Sequence, residues 1–507
     1  MGVEKWIYGR IVRPWCRRFL LGMMVAGFLF GALLSPVGMG ASRGVASFAR
    51  PKYRITATYV PEKRDVVGHM ELDLPVDLPE AEGSEIFFRL YPNVFHNWKY
   101  GKLMKPEMPG FLTVRNVKVN GQDAAARLLE DPTILQVTLP QRGSDALLRV
   151  EMDYHLRIPQ HGMRLTQDGG TAFLAQWYPM LAVRDPKGWH LDPFTTTGDP
   201  FYTRVADFQV SFQIPSGYRV VSTGRNPESN GTMAKTVLQQ RVRDFTAMIT
   251  SEYQGLTSVE DGVRVNLWYR PEMKKSAQVL HRAAASSLRF FSEKFGSYRD
   301  ETMDEVDVVL GEAGYGIAGM EYPGLITSIV EMGEERTGTG EPAVNVVAHE
   351  MAHQWWYGLV GNDQSREPWV DEGLTTFSEF LYMREVEKKD GMAFLRRASM
   401  RADEVHRAMG LAVTEPILRY PDSVYALMVY LRPAAMMFSL SSEVGGMDSL
   451  LSILQEYSDR YRYGIATGCD FIQLAESRSG KDLRDFFQKW LYQLPQGCSA
   501  VRGQNKG

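Results

Sequence analysis

Cysteine is nearly absent, with three in 507 residues, which excludes a fold held by a disulfide framework. Cys16 lies in an N-terminal apolar segment, leaving Cys469 and Cys498, which can pair in an oxidising compartment or stay free. Neither has the spacing of a cysteine metal motif. A surplus of charge is missing too. The formal net charge is -3, which offers no basic field for nucleic acid. The chain has no internal repeat and no long internal low-complexity tract. What remains is ordinary globular usage, 44% apolar and 23% charged, enough for two or three domains at this length.

The first residues differ in kind. Arg10, Arg13, Arg17 and Arg18 precede an uncharged stretch from Phe19 to Ser42, with small residues at Gly38, Gly40 and Ala41. A basic region, an apolar region and a small-residue end read residues 1–41 as an export signal. The full uncharged run is also long enough for an uncleaved membrane anchor at residues 19–41. The expected location is therefore periplasmic or extracellular, or the membrane.

The densest chemistry lies at His349-Glu350-Met351-Ala352-His353, with Glu372 following after eighteen intervening residues. Residues four apart share a helix face, so both imidazoles can point at one metal ion. Glu350 is one step round, placed to work on a water there without being a ligand. Two His and one Glu with a position left open form a hydrolytic zinc set: His349, His353 and Glu372, holding one Zn2+ per chain. Val344, Val347, Ala348, Met351 and Trp355 form an apolar stripe, which predicts a helix from the neighbourhood of Pro342 to Gly358. A second helix is predicted over Asp371 to Lys389, with Glu372 in its first turn. The other histidines are scattered without ligand spacing and read as structural or surface groups.

Before this region the period is two. Tyr53, Ile55, Ala57 and Tyr59 alternate with polar residues, as do Met70, Leu72 and Leu74, then Phe208, Val210, Phe212 and Ile214. Asn120-Gly121 signals a hairpin between Val117-Lys118-Val119 and a strand around Leu135, Val137 and Leu139. The period changes after Arg264–Trp268, with helix signals from Leu280 to Phe295, a buried strand at Val306–Leu310 and a last amphipathic helix from Asp482. The expected architecture is multidomain α+β: an antiparallel β domain over 50–255, then a mainly helical domain over 256–495.

The run AHEMAHQWWYGLVG, followed by EPWVDEGLTTF, resembles the aminopeptidase N family of gluzincin zinc metallopeptidases. Gly319-Met320-Glu321-Tyr322-Pro323-Gly324 is similar to that family's Gly-x-Met-Glu-Asn exopeptidase motif, with Tyr322 in place of Asn. DLRDFFQKWLYQ resembles the end of its catalytic domain, and the likeness extends loosely from Tyr53 to Gln493. The resemblance implies a saddle-shaped N-terminal β domain, a thermolysin-like catalytic domain and removal of N-terminal residues from peptides. Members often add a large helical C-terminal domain. This sequence resembles a short bacterial-type member without one, so a more open cleft is expected.

The resemblance also assigns roles. Glu350 is the general base, and Glu321 pairs with the substrate's free α-amino group while Gly319 and Met320 meet its backbone. A tyrosine from a Tyr-x-Lys-Gly-like segment donates to the developing oxyanion. Tyr430-Leu431-Arg432-Pro433-Ala434 matches that segment, with Tyr425 as the alternative. The family's Gln-x-Glu amine anchor matches Gln176-Trp177-Tyr178, which keeps Gln176 and loses the acid; Glu312 is a further acid near the Glu321 loop. Two other readings follow from these departures and from general caution about fold and function: an endopeptidase with relaxed end recognition, and an inactive peptide-binding protein of the envelope.

Overall fold

The computed structural model describes residues 49–101, 104–140, 146–228, 233–311, 317–332 and 340–498. The segment read as export signal or anchor lies outside them, as does Glu312. The first part is built on a seven-stranded sheet. Its order is Ala234–Val242, Ala206–Gln213, Lys52–Val60, Asp65–Pro75, Leu147–Arg157, Phe111–Val119 and Gln122–Asp123. Tyr53, Ile55, Ala57 and Tyr59 point to the core as their alternation requires. On the other face Arg54 bridges to Glu71 and Asp73 of the adjacent strand, at 2.9 and 2.8 Å.

Two sequence expectations are corrected here. The sheet is mixed rather than antiparallel, because Lys52–Val60 runs parallel to Ala206–Gln213. That partner arrives from far along the chain, where hairpin rules between neighbours have no hold. Asn120 and Gly121 do form a tight turn, with φ of 50° and 77°. It leads only into the short strand Gln122–Asp123. The strand containing Leu135 and Val137 pairs instead with Glu85–Arg89 and Ala126–Leu128, in a four-stranded sheet completed by Met180–Leu181.

From Gln254 a second unit begins. Its five-stranded sheet runs Gln254–Glu260, Val263–Tyr269, Glu305–Leu310, Leu325–Ser328 and Gly319–Met320, with Gly319–Met320 at the edge. Among the described residues eight helices follow in chain order: α1 Lys274–Phe295, α2 Val344–Ala352, α3 Trp369–Glu385, α4 Met392–Met409, α5 Asp422–Glu443, α6 Met447–Tyr461, α7 Gly468–Ser479 and α8 Arg484–Leu491. α5 is long and apolar enough to cross a membrane, but it is mostly buried as a core helix of this unit. It contains a π turn over Ala426–Leu431. Cys469 and Cys498 are disulfide-bonded and tie α7 to the segment after α8.

The helix carrying both histidines is shorter than its apolar stripe predicts. It starts after Pro342, which sits in a two-residue strand pairing, and ends at Ala352. Beyond that point the chain turns, because its polar groups find tertiary partners. His353 Nδ1 lies 3.0 Å from the Trp356 carbonyl, Trp355 Nε1 donates to Gly296 O at 2.9 Å, and Trp356 Nε1 donates to Ser378 Oγ at 2.9 Å. Periodicity alone carries no signal for such an ending.

The two units share one buried cluster running from Tyr53 to Cys498. Polar contacts also cross between them. The buried Arg243 donates to Tyr357 O at 2.6 Å and also to Gly464 O. His190 sits between Asp185 and Asp363, at 2.9 and 3.0 Å. The β unit thus forms one wall of the region around the histidine helix.

Candidate metal centre

Helices α2 and α3 pack side by side and bring His349, His353 and Glu372 together. Their donor atoms all lie within 4.8 Å of one another, and all three residues are buried. Glu372 Oε2 is 3.3 Å from Nε2 of each imidazole. Burial alone would raise this carboxyl, but the charges and hydrogen bonds of His353 and His349 hold it at about 2.

The other nitrogen of each ring is already engaged. His349 Nδ1 lies 3.1 Å from Glu379 Oε2, while His353 Nδ1 is 3.0 Å from both Trp356 O and Thr375 Oγ1. Such partners fix the tautomer so that both Nε2 lone pairs face the same point as Glu372. Two neutral imidazoles and one carboxylate, converging at a buried point with their outer partners in place, fit a zinc ion. Glu379 and Thr375 were not foreseen from sequence. Glu379 is seven residues after Glu372 on the same helix, so helical spacing would have found it.

Glu350 is buried beside this set, and burial pushes its carboxyl up to about 8 against the lowering pull of His349 and His353. Gly319 explains its own identity here. A Cβ at this position would overlap the Glu350 carboxylate, so only glycine lets the edge strand run this close. Met320 is buried next to it. Glu321 is only 2% exposed, and burial followed by the negative charge of Asp199 raises it to about 7. Its loop is clamped to the histidine segment by Gln354, whose Oε1 accepts from Gly324 N at 2.8 Å and whose Nε2 donates to Tyr322 O at 3.2 Å.

Tyr430 and Tyr425 separate clearly. The Tyr430 hydroxyl donates to Glu372 Oε1 at 2.6 Å, and its ring stacks on His349 at 5.8 Å with a 13° tilt. Tyr425 is buried against Gly198 of the β unit, with its ring edge-on to Tyr430. The two residues departing from the Tyr-x-Lys-Gly pattern have packing reasons. Arg432 stacks on Trp490 and Tyr492 and bonds Trp490 O, anchoring the end of α8. Pro433 faces Gly373, where a Cβ would come within 2.6 Å of Pro433 Cβ, so α5 sits close to α3.

Gln176 is not among these contacts. Its Nε2 donates to Asp244 Oδ2 at 2.9 Å, and Tyr178 OH donates to Asp244 Oδ1 at 3.0 Å. The Gln and Tyr of that motif therefore share a buried acid that sequence reading missed. Asp244 follows a strand with no chemical motif around it.

A donor set of this kind on paired helices, beside a sheet edge, fits a hydrolytic zinc centre. Residues 281–490 match the Peptidase family M1 domain. The chain is 24% identical to an aminopeptidase N of Streptomyces lividans over 56% of this chain and 35% of that protein. It is 21% identical to a leukotriene A-4 hydrolase of Xenopus laevis over 70% of this chain and 59% of that one. The matches thus span about a third of the length of the first of these relatives. The fold is similar to a crystal structure of an M1 zinc metallopeptidase from Deinococcus radiodurans, with a TM-score of 0.60 and 18% identity. That likeness covers 90% of this chain and 96% of the other.

Proposed function

We propose that this chain is a zinc-dependent aminopeptidase that removes N-terminal residues from peptides. The observation that carries the reading is the place of Glu321. Its carboxylate lies within 4.8 Å of a donor nitrogen of His353, in the same buried region as the three ligands. An acid so close to the cleaving centre leaves room for one residue of substrate between amine and scissile bond.

In this reading His349, His353 and Glu372 hold the zinc. When bound, the ion acidifies a water and polarises the scissile carbonyl. Glu350 takes the proton of the attacking water and later delivers it to the leaving amine. The Tyr430 hydroxyl turns from Glu372 to the substrate carbonyl oxygen as negative charge develops there. Gly319–Met320 is an edge strand among the described residues, to which an extended peptide can add as a further strand. Glu321 receives the protonated amine.

Peptides with a free N-terminus should be cut one residue at a time, and acetylated versions should be poor substrates. Glu321→Ala is expected to lower kcat/KM for the free-amine substrate by about tenfold or more, in line with loss of a charge-assisted hydrogen bond, and to leave the acetylated one little changed. Equal cleavage of free and acetylated peptides by the unmutated protein would favour the second reading, an endopeptidase with relaxed end recognition. That reading draws on Tyr178 standing where the family's second acid is expected, and on Gln176 being turned to Asp244.

Residues 1–41 we take as an export signal. A reporter fused after Ala41 should appear outside the cytoplasm, with a mature N-terminus near Ser42. A full-length N-terminus in the membrane fraction would make the segment an anchor instead.

A further inference from the structure

Asp371 directly precedes Glu372 on α3 and is 2% exposed. One of its carboxylate oxygens, one of Glu321 and a ring nitrogen of His353 all lie within 4.8 Å of one another. A single amide spans the two acids. Gln364 Nε2 donates to Glu321 Oε1 at 3.0 Å and to Asp371 Oδ2 at 2.7 Å, and Asn362 Nδ2 holds Asp371 Oδ1 at 3.0 Å. Arg164 forms its ion pair with Asp199, and the neutral His353 ring is turned to Glu372 as a metal ligand. Two buried carboxylates bridged only by a neutral amide are costly to hold without a positive charge beside them.

A second observation points to what belongs there. Gln364 is buried, and its Oε1 has no hydrogen-bond partner. It belongs to the same amide whose nitrogen joins the two acids. A buried acceptor without a donor is uncommon in a native protein. An alkylammonium brings one positive charge and three N–H donors. Glu321, Asp371 and Gln364 Oε1 supply three acceptors.

We propose that Asp371, together with Gln364, completes the pocket that grips the substrate's protonated α-amino group opposite Glu321. The proposal rests on the aminopeptidase reading of this same site. It gives the chain a second acid despite Tyr178, and draws that acid from the helix of Glu372 rather than from the β unit. Binding of the amine is thereby tied to the element that carries a metal ligand.

The test compares two inhibitors on the zinc-loaded protein: a peptide analogue bearing an α-amino group and its des-amino twin. Dissociation constants are measured by calorimetry, and metal by elemental analysis. The unmutated protein should bind the amino compound about 100-fold more tightly, about tenfold for each charge-assisted contact. Asp371→Asn keeps the shape and the Asn362 and Gln364 neighbours. It should lower that ratio about tenfold, with the des-amino constant and one zinc per chain unchanged. Gln364→Met alters neither carboxylate and none of the zinc ligands, and should lower the ratio several-fold.

An unchanged ratio in both variants, with Glu321→Gln still collapsing it, overturns this proposal and leaves the aminopeptidase reading standing. Two metal ions per unmutated chain would also overturn it, since the acids and His353 would then be ligands to a second ion. No discrimination by the unmutated protein overturns the aminopeptidase reading and this inference with it.

Discussion

Glu350→Gln is expected to keep one zinc per chain and to lose about three to four orders of magnitude in kcat. The glutamine has the size and shape of the glutamate, so the contact with Gly319 that fills this corner survives. The ligands His349, His353 and Glu372 are untouched, and their outer partners Glu379, Trp356 and Thr375 remain. What disappears is the only acceptor proposed for the proton of the attacking water. An amide can neither take that proton nor hand it to the leaving amine. KM should change little, because the peptide is held by Glu321 and the sheet edge rather than by the base. Zinc content and steady-state rates on a free-amine peptide are the measurements. A variant within tenfold of normal kcat would show that Glu350 is not the base and would return the proton-transfer role to an unassigned group.

The centre was legible in the sequence to the extent that its geometry is local. His349 and His353 are a helical turn apart, and Glu372 opens the next helix, so spacing alone brought all three to one point. Gly319, Met320 and Glu321 were visible as a motif, but the reason for glycine was not. It depends on the approach of a strand to a side chain thirty-one positions later in the sequence. The acids Asp244 and Asp371 were passed over for a different reason. Each is held by hydrogen bonds from another segment, Gln176 with Tyr178 in one case and Gln364 in the other. The parallel pairing of Lys52–Val60 with Ala206–Gln213 escaped in the same way, since alternation sets which face a strand buries and says nothing of its neighbour. The early end of α2 is again a tertiary effect, with Trp355 and Trp356 drawn to Gly296 and Ser378.

Tyr430→Phe should lower kcat by about two to three orders of magnitude and leave KM within a few-fold, the pattern expected when a donor acts mainly as charge develops. The hydroxyl is held 2.6 Å from Glu372 Oε1, next to the point where the scissile carbonyl would sit. Its position is set by three features of α5. The π turn over Ala426–Leu431 shifts the register of the helix just where the tyrosine lies, a distortion common at functional sites. The contact of Pro433 with Gly373 fixes the distance between α5 and α3. Stacking on His349 then orients the ring. Phenylalanine keeps the stacking and removes only the hydroxyl, so zinc content should not fall. Tyr425→Phe is the control. That side chain packs on Gly198, and the loss of its hydroxyl should change kcat by no more than a few-fold. The contrast between the two variants is the informative quantity. A large loss at Tyr425 with a small one at Tyr430 would reverse the assignment and require α5 to rotate on binding substrate.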